Sequence, residues 1–419
     1  MINLHEMASD LRVASNQMAH ATDKTKRHAL EAICNGLASY KTDLLDANHQ
    51  DVQDGRKAGI SEALLDRMTL TTSRLDSMAS DVRSISKLPD PVGQIFDERR
   101  LPNGLLVCRK RVPIGALGVI YESRPNVTIE VAALAIKTGN VAILRGGSET
   151  LRSNRALVSI VRNALLKSGL PQDSVQFVDD RDRKYVRQLL RLHEYLDIII
   201  PRGGLKLHEF CRENSTIPVI TGGIGICHLF VDDSANLSAA ISVIHNAKVQ
   251  RPSVCNALDT LLVHQSIASR FIPQVAAKLA KDGVTFRAEP RAYLVLEQEN
   301  IPIQTAGPQD FDTEWLSLIM GLKIVDGIDE AIDHIKEHST AHSDGILTQT
   351  LAHEERFLDE IDSAAVYVNA STRFTDGAQL GLGAEVAVST QRLHARGPMG
   401  LPELTTYKWI VRGDYTIRE

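Results

Sequence analysis

At 419 residues, 43% hydrophobic and 24% charged, the chain is long enough for two or three domains with real cores, in the composition of an ordinary globular protein. A formal net charge of −5, scattered arginines and 5% aromatic residues exclude the footprint of a nucleic-acid binder. No apolar run approaches the roughly 18 residues of a membrane span.

Met1-Ile2-Asn3-Leu4-His5-Glu6 lacks the basic start and apolar core of a signal peptide. The five cysteines (34, 108, 211, 227 and 255) are odd in number, far apart and without a C-x-x-C pair. That spacing speaks against a disulfide framework and a thiolate metal site, so the chain reads as cytoplasmic with reduced thiols.

Residues 1–90 carry apolar residues at helical spacing over Leu4–Ala21, Lys24–Tyr40 and Tyr40–Ala58. Two more helices are expected over Ser61–Met68 and Thr72–Leu88, each entered by a Ser or Thr suited to capping. Cys34 falls on the apolar face with Ala29, Leu30, Ile33 and Leu37, a core position. Pro89-Asp90-Pro91 closes this block. Gln94–Phe96 and Leu105–Arg109 flank Pro102-Asn103-Gly104, a hairpin signal, and Cys108 is structural within it. Thr405–Val411 and Tyr415–Arg418 are also strand-like. A hairpin arm and a terminal strand predict pairing across a subunit interface, because unpaired edges invite partners.

From Gly115 to Val231 strands and helices alternate, with buried runs such as Asp197-Ile198-Ile199-Ile200 that suit a parallel sheet covered on both faces. The pattern predicts a doubly wound α/β domain. Residues 236–400 repeat the alternation, including strands at Ala257–Val263 and Ala292–Leu296 and a helix at Ile328–His338. The expected division is a cofactor domain of residues 1–92 and 114–250, a catalytic domain of 251–400, and an arm of 93–113 with 401–419. Cys255 then stands at the entry of the second α/β domain, facing a cleft where ligands bind.

Cys255 follows Arg251-Pro252 on a turn, because Pro252 disfavours helix for the residue before it. Such a thiol is either a presented nucleophile or a small apolar filler. Three glycine turns follow strands: Arg145-Gly146-Gly147-Ser148, Pro201-Arg202-Gly203-Gly204 and Thr221-Gly222-Gly223. None is a G-x-G-x-x-G fingerprint or a P-loop. Each alone is only a turn; three in one domain point to a nucleotide site, and Arg145 at a strand end suits phosphate. Asn126 either caps the helix that follows it or offers its amide to an oxyanion. His334, His338 and His342 recur at intervals of four, but His342 lies past the helix end and no H-E-x-x-H accompanies them, so no metal is expected.

The two-domain order, the cysteine loop and the hairpin arm resemble the aldehyde dehydrogenase superfamily. Within it the chain is similar to the branch that reduces an acyl phosphate. The stretches that carry the resemblance are Ile120–Thr128, Lys137–Asn140, Ile143–Ser148, Ile200–Gly204, Thr216–Gly223, Asn246–Asn256, His334–Ile346 and Val368–Pro398, the last containing Asn369-Ala370-Ser371-Thr372-Arg373-Phe374-Thr375-Asp376-Gly377. The resemblance implies an aldehyde dehydrogenase-like α/β fold: a Rossmann-like cofactor domain, an α/β catalytic domain and a β-hairpin oligomerisation arm. It implies Cys255 as nucleophile and Asn126 as oxyanion donor. It puts Arg145 where relatives use a Lys on the adenosine ribose, and Glu314 where they hold the nicotinamide ribose, although Thr313-Glu314-Trp315 departs from the usual E-x-F-G-P. Hydrolytic relatives carry E-L-G-G where this chain has Ile220-Thr221-Gly222-Gly223, and a branched hydrocarbon cannot act as the base that activates water.

The implied reaction is NADPH-dependent reduction of L-glutamyl 5-phosphate to L-glutamate 5-semialdehyde in proline biosynthesis, with Arg124, Arg251 and Arg373 as candidates for holding the substrate's ends. A homo-oligomer and an association with glutamate 5-kinase, which would shelter a labile acyl phosphate, are also implied. Two rivals are a hydrolytic aldehyde dehydrogenase, against which Ile220 speaks, and a non-catalytic nucleotide-binding or assembly protein on the same scaffold, against which the Cys255–Asn126–Glu314 set speaks.

Overall fold

The amino-terminal block folds as five helices in the computed structural model, which describes residues 2–222 and 224–418. They are α1 (Leu4–Met18), α2 (Asp23–Ser39), α3 (Lys41–Lys57), α4 (Glu62–Met68) and α5 (Thr72–Lys87). Side chains one residue outside the helix cap three of them: Asn3 accepts from the Glu6 N–H, Thr22 from Thr25 and Thr71 from Arg74. Ser61 holds the cap position of α4 without a side-chain bond. The apolar face of α2, with Leu30, Ile33, Cys34 and Leu37 buried, packs on α5 and on a later helix. Burying each such aliphatic side chain contributes about 1.5–3 kcal/mol.

The expected hairpin follows as β1 (Ile95–Arg100) and β2 (Leu106–Pro113), antiparallel, with Cys108 buried in β2. Next come β3 (Ala116–Tyr121), α6 (Pro125–Lys137), β4 (Val141–Arg145), α7 (Leu151–Lys167), β5 (Val175–Phe177), α8 (Lys184–Leu189), β6 (Ile198–Arg202) and α9 (Leu205–Asn214). The four strands form a parallel sheet in the order β5-β4-β3-β6. The chain therefore winds outward from β3 in both directions, the doubly wound plan. Every residue of β3 and β4 is buried, as a parallel sheet covered on both faces requires.

A second parallel sheet has seven strands, β7 (Cys227–Val231), β8 (Leu258–His264), β9 (Thr285–Ala288), β10 (Ile303–Thr305), β11 (Ile319–Val325), β12 (Ser343–Leu347) and β13 (Ala365–Val368), in the order β10-β9-β11-β8-β7-β12-β13. Its helices are α10 (Leu237–Val249), α11 (Gln265–Ala280), α12 (Pro290–Leu296), α13 (Ile328–His338) and α14 (Leu351–Glu360). The period of two along a strand sorts the core. Leu229, Val231, Leu261, Val263 and Leu322 join the cluster of α10, α11 and α12, whereas Phe230, Leu262 and Val325 join that of α13 and α14. A short ladder, β14 (Val388–Ser389) with β15 (Gly397–Pro398), and the long β16 (Thr405–Arg412) complete the strands; β16 pairs with β2 along its length and makes the arm a three-stranded sheet.

The chain divides into two compact units, one of Met1–Thr221, Gly381–Ala387 and Met399–Glu419, the other of Gly222–Leu380 and Val388–Pro398. Three expectations are corrected. The division falls at 221/222 instead of 250/251, because β7 lies between β8 and β12 and anchors residues 227–249 in the larger sheet; Gly381–Ala387 likewise belong to the first unit. Ala292–Leu296 is helix, not strand. Glu289 accepts from the N–H groups of Arg291 and Ala292, and Pro290 occupies the first helical turn, so a capping signal outweighs an apolar run. Tyr415–Arg418 forms no strand; pairing stops at Arg412. Among the described residues no helix is long and apolar enough to cross a membrane.

Candidate active site

Cys255 sits on a turn immediately before β8, half-buried, in the second unit. What holds it there is backbone packing. Gly225, just ahead of β7, lies so close that a Cβ on it would stand 1.6 Å from the Cys255 carbonyl oxygen. The thiol of Cys227 donates to that same carbonyl at 3.2 Å. The Gly225 N–H donates to Oε1 of Glu314 at 3.0 Å, and Thr340 Oγ1 accepts from the Ile226 N–H and donates to the Ile224 carbonyl, both at 2.9 Å. On its other flank, Asn256 Nδ2 donates to the carbonyls of Arg373 at 3.3 Å and Thr375 at 2.9 Å, while Thr372 Oγ1 donates to the Asn256 carbonyl at 2.7 Å. The thiol thus rides on a turn clamped from two sides.

Beneath it lies a buried titratable group set. Burial raises the Glu314 carboxyl to about 7, against the lowering effect of its bond from Gly225. Burial also lifts Asp259 to about 6, opposed chiefly by Lys248, whose Nζ lies 3.6 Å away and whose side chain is fully buried. Burial lowers the Lys248 ammonium. Cys227 is pushed well up by burial, and next by the charge of Asp259, so it stays a thiol and a donor.

Of the expected substrate arginines, Arg251 and Arg373 belong to this unit, with Arg373 Nε donating to Gln250 Oε1 at 3.1 Å. Arg124 belongs to the first unit, at the N-cap position of α6. Asn126 is exposed in the first turn of α6, inside the helix and not at its cap, so the capping role does not explain it.

The glycine turns behave differently from one another. Arg145-Gly146-Gly147-Ser148 and Pro201-Arg202-Gly203-Gly204 both leave the carboxyl edge of the four-stranded sheet, on the two sides of β3, with Ile120 opposite Arg145 and Tyr121 opposite Arg202. That edge, where strand order reverses, is where open α/β sheets bind nucleotides. Ser148 and Gly204 are exposed there, and a Cβ on Gly204 would meet nothing within 4 Å. This ledge fits a dinucleotide. Carboxylates brace it: Glu122 accepts from the Gly204 N–H at 3.1 Å and Glu149 from the Ser123 N–H at 3.2 Å. Arg145, however, is buried, its guanidinium donating to the carbonyls of Gly146 and Arg181, and burial lowers its pKa. It braces its own turn, with its Nε buried and without a partner among the described residues. Gly222 needs its missing side chain for another reason: a Cβ would lie 2.2 Å from the Val388 carbonyl oxygen, in the bridge to Ser389. Thr221 ends the first unit, and Gly223 lies outside the described residues.

Among the described residues His334, His338 and His342 do not come together as one ligand set. His334 and His338 stack on α13 with centroids 4.4 Å apart, His334 held near a pKa of about 2 by burial, while His342 bonds to Ser343 Oγ and is held near 4, again by burial. Elsewhere Asp232, Asp233 and His353 bring ligand atoms within 4.8 Å, but Asp232 already accepts from Ser234, Thr348 and His353.

Residues 13–289 match the model of the aldehyde dehydrogenase family. The chain belongs to the aldehyde dehydrogenase family. It is 55% identical over 415 residues to a gamma-glutamyl phosphate reductase of Cronobacter sakazakii, covering 99% of this chain and 100% of that one. A gamma-glutamyl phosphate reductase of Vibrio vulnificus is 54% identical over 418 residues, 100% of this chain and 99% of its own. The crystal structure of a Thermotoga maritima gamma-glutamyl phosphate reductase superposes with a TM-score of 0.97 at 47% identity, over 100% of both chains. The chain's place is therefore in the gamma-glutamyl phosphate reductase branch of the aldehyde dehydrogenase family.

Against that family's pattern, Ile220 is buried and its N–H bonds to the Ile199 carbonyl at 2.9 Å. No carboxylate is presented at that position. Sequence reasoning missed Gly225 and Cys227, which meet the Cys255 carbonyl from about thirty residues away, Asn256, which ties the turn to Arg373 and Thr375, and the buried Lys248–Asp259 pair. Only Asn256, next to the cysteine, carried a signal, as a polar residue at a strand entrance.

Proposed function

We propose that the chain reduces L-glutamyl 5-phosphate to L-glutamate 5-semialdehyde and phosphate with NADPH, the second step of proline biosynthesis, in a cytoplasmic setting that keeps its thiols reduced. The full-length likeness to gamma-glutamyl phosphate reductases supports the substrate. The observation that carries the chemistry is the buried isoleucine, Ile220, where hydrolytic members place a base. An acyl-enzyme made here waits for phosphate, not water.

In this reading the Cys255 thiolate attacks the acyl carbonyl, the sulfur–carbon bond forms, and the carbon–oxygen bond to phosphate breaks. Asn126 and the Cys255 backbone N–H donate to the oxyanion. The clamp of Gly225, Cys227 and Asn256 keeps that N–H and the sulfur in one geometry. NADPH, when bound, supplies the hydride that reduces the thioester. Collapse of the thiohemiacetal frees the aldehyde and restores the thiolate. Arg145, Gly146, Gly147, Ser148, Pro201, Arg202, Gly203, Gly204, Thr221, Gly222 and Gly223 are the residues proposed to hold the dinucleotide. Glu314, through its free oxygen, is proposed to orient the nicotinamide ribose, and Arg124, Arg251 and Arg373 to hold substrate. The arm, which exposes Ile95, Tyr407, Trp409 and Val411, is proposed to pair subunits. Association with glutamate 5-kinase is proposed on the lability of the acyl phosphate alone.

The test runs the reaction backwards, with glutamate semialdehyde and NADP⁺, following nicotinamide absorbance with and without phosphate. NADP⁺ reduction that depends on phosphate and disappears in Cys255→Ala is expected. Full-rate reduction without phosphate would make the protein a hydrolytic dehydrogenase.

A further inference from the structure

We propose that Arg373 and Arg251 form a phosphate subsite beside Cys255, which takes the leaving dianion of the acyl phosphate and, in reverse, presents inorganic phosphate to the thioester. This assignment rests on the acyl-phosphate reading above and says which end of the substrate the two guanidiniums hold.

The geometry comes first. Arg373 is tied to both ends of one short turn. Its Nε donates to Gln250 Oε1 at 3.1 Å, and its carbonyl accepts from Asn256 Nδ2 at 3.3 Å. Between Gln250 and Asn256 lie Arg251 and Cys255. The hydroxyl of Thr372 adds a third tie, to the Asn256 carbonyl at 2.7 Å. A guanidinium bracketed in this way has its position set by the same turn that presents the thiol.

Charge decides what it is for. Many arginines of this chain hold an ion pair, as Arg12 with Asp197, Arg152 with Asp51 and Asp54, and Arg396 with Asp362. Among the described residues Arg251 and Arg373 take part in no ion pair. Arg373 feels its neighbour: burial lowers its pKa, and the charge of Arg251 lowers it further, against Asp376 and Cys255. Two like charges held near one another are relieved when an anion joins them. A dianion repays more than a monoanion. The phosphate of an acyl phosphate carries about two negative charges near neutrality, whereas the amino-acid end carries a carboxylate and an ammonium that sum to zero, and the guanidiniums would repel that ammonium. Among the described residues Arg373 bonds through its Nε alone, which leaves both terminal nitrogens to grip two oxygens in the forked geometry that suits phosphate.

The step balances. As sulfur bonds to carbon, the electron pair of the breaking carbon–oxygen bond passes to the phosphate oxygen, and the departing phosphate takes one proton from water. The guanidiniums stabilise the charge that develops on that oxygen. In reverse, a phosphate oxygen held there attacks the thioester carbonyl and expels the Cys255 thiolate.

The experiment uses the full chain and its Arg373→Gln, Arg251→Gln and Arg373→Lys variants, in the phosphate-dependent reduction of NADP⁺ by glutamate semialdehyde. For Arg373→Gln the phosphate KM should rise about ten- to hundredfold, the loss of a charge-assisted contact, with the KM for semialdehyde and NADP⁺ near that of the parent. Arg251→Gln, at an exposed position, should show a smaller rise, and Arg373→Lys partial rescue. A second readout needs no turnover: phosphate should protect Cys255 from alkylation by iodoacetate, and this protection should be lost in Arg373→Gln and weakened in Arg251→Gln. A rise in semialdehyde KM with phosphate KM unchanged would overturn the assignment by placing the arginines at the amino-acid end. So would wild-type protein whose Cys255 phosphate does not shield. Wild-type reduction of NADP⁺ that needs no phosphate would instead sink the acyl-phosphate reading itself, along with the subsite that rests on it.

Discussion

Replacing Gly225 with alanine adds one methyl group and moves the nucleophile. The new Cβ would lie 1.6 Å from the Cys255 carbonyl oxygen, 2.6 Å from its carbonyl carbon and 3.2 Å from Cys227 Sγ. Gly225 is not among the residues with positive φ, so the backbone itself accepts alanine and the collision is the whole effect. Neither partner is the far end of a flexible chain; one is the peptide of the catalytic residue. To reach an ordinary contact the turn must retreat by well over about 1 Å, and a displacement of that size at a reacting group costs about 10²-fold in rate. Overpacking also costs about 1–3 kcal/mol of stability. The assay compares kcat/KM for phosphate-dependent NADP⁺ reduction in the Gly225→Ala and parent proteins, with urea unfolding beside it. A fall of about 10²-fold or more with a cooperative transition retained is expected. Wild-type kcat/KM in a folded Gly225→Ala protein would refute the claim that this glycine sets the cysteine's position.

Further predictions concern the buried charges beneath the turn. Lys248→Met strands Asp259 without its cation and should destabilise the fold by about 3–5 kcal/mol, whereas Lys248→Met with Asp259→Leu should recover most of that loss, measured by urea unfolding; a double variant as unstable as the single one would deny that the two charges are coupled. Glu314 is raised from 4.5 to about 7 by burial. Its folded value lies above its unfolded one, so folding favours the protonated acid. Its contribution is fully present below pH 4.5 and is lost as pH rises to about 7. The Glu314→Gln protein, which keeps an acceptor for the Gly225 N–H, should therefore gain stability relative to the parent across that window and hold a constant lead above it. A lead independent of pH would mean that Glu314 titrates normally.

Much of this architecture can be read along the chain because its causes are local. The period of α2 puts Cys34 in a core, Asn103-Gly104 closes the hairpin, and Pro252 makes the turn that presents Cys255. Where local signals compete, reading fails: the apolar Ala292–Leu296 looks like a strand until Glu289 and Pro290 are weighed as a helix start. Where causes are remote, nothing local announces them. Residues 227–249 join the larger sheet through pairing of β7 with β12, more than a hundred residues on. Gly225 is required by a carbonyl thirty residues away, and nothing local announces that Arg145 also braces the carbonyl of Arg181. Family likeness supplied the roles of Asn126 and Glu314; packing explains why Glu314 is half-buried and bonded to Gly225.

The central claim is that Cys255 forms a thioester that phosphate, and not water, resolves. The most direct measurement mixes the protein with glutamate semialdehyde and NADP⁺ in the absence of phosphate, following NADPH formation and the mass of the Cys255 peptide. The account predicts a burst of about one NADPH per site, a glutamyl adduct on Cys255, and its discharge with resumed turnover when phosphate is added. Steady full-rate turnover without phosphate, or a burst with Cys255 unmodified, would contradict it.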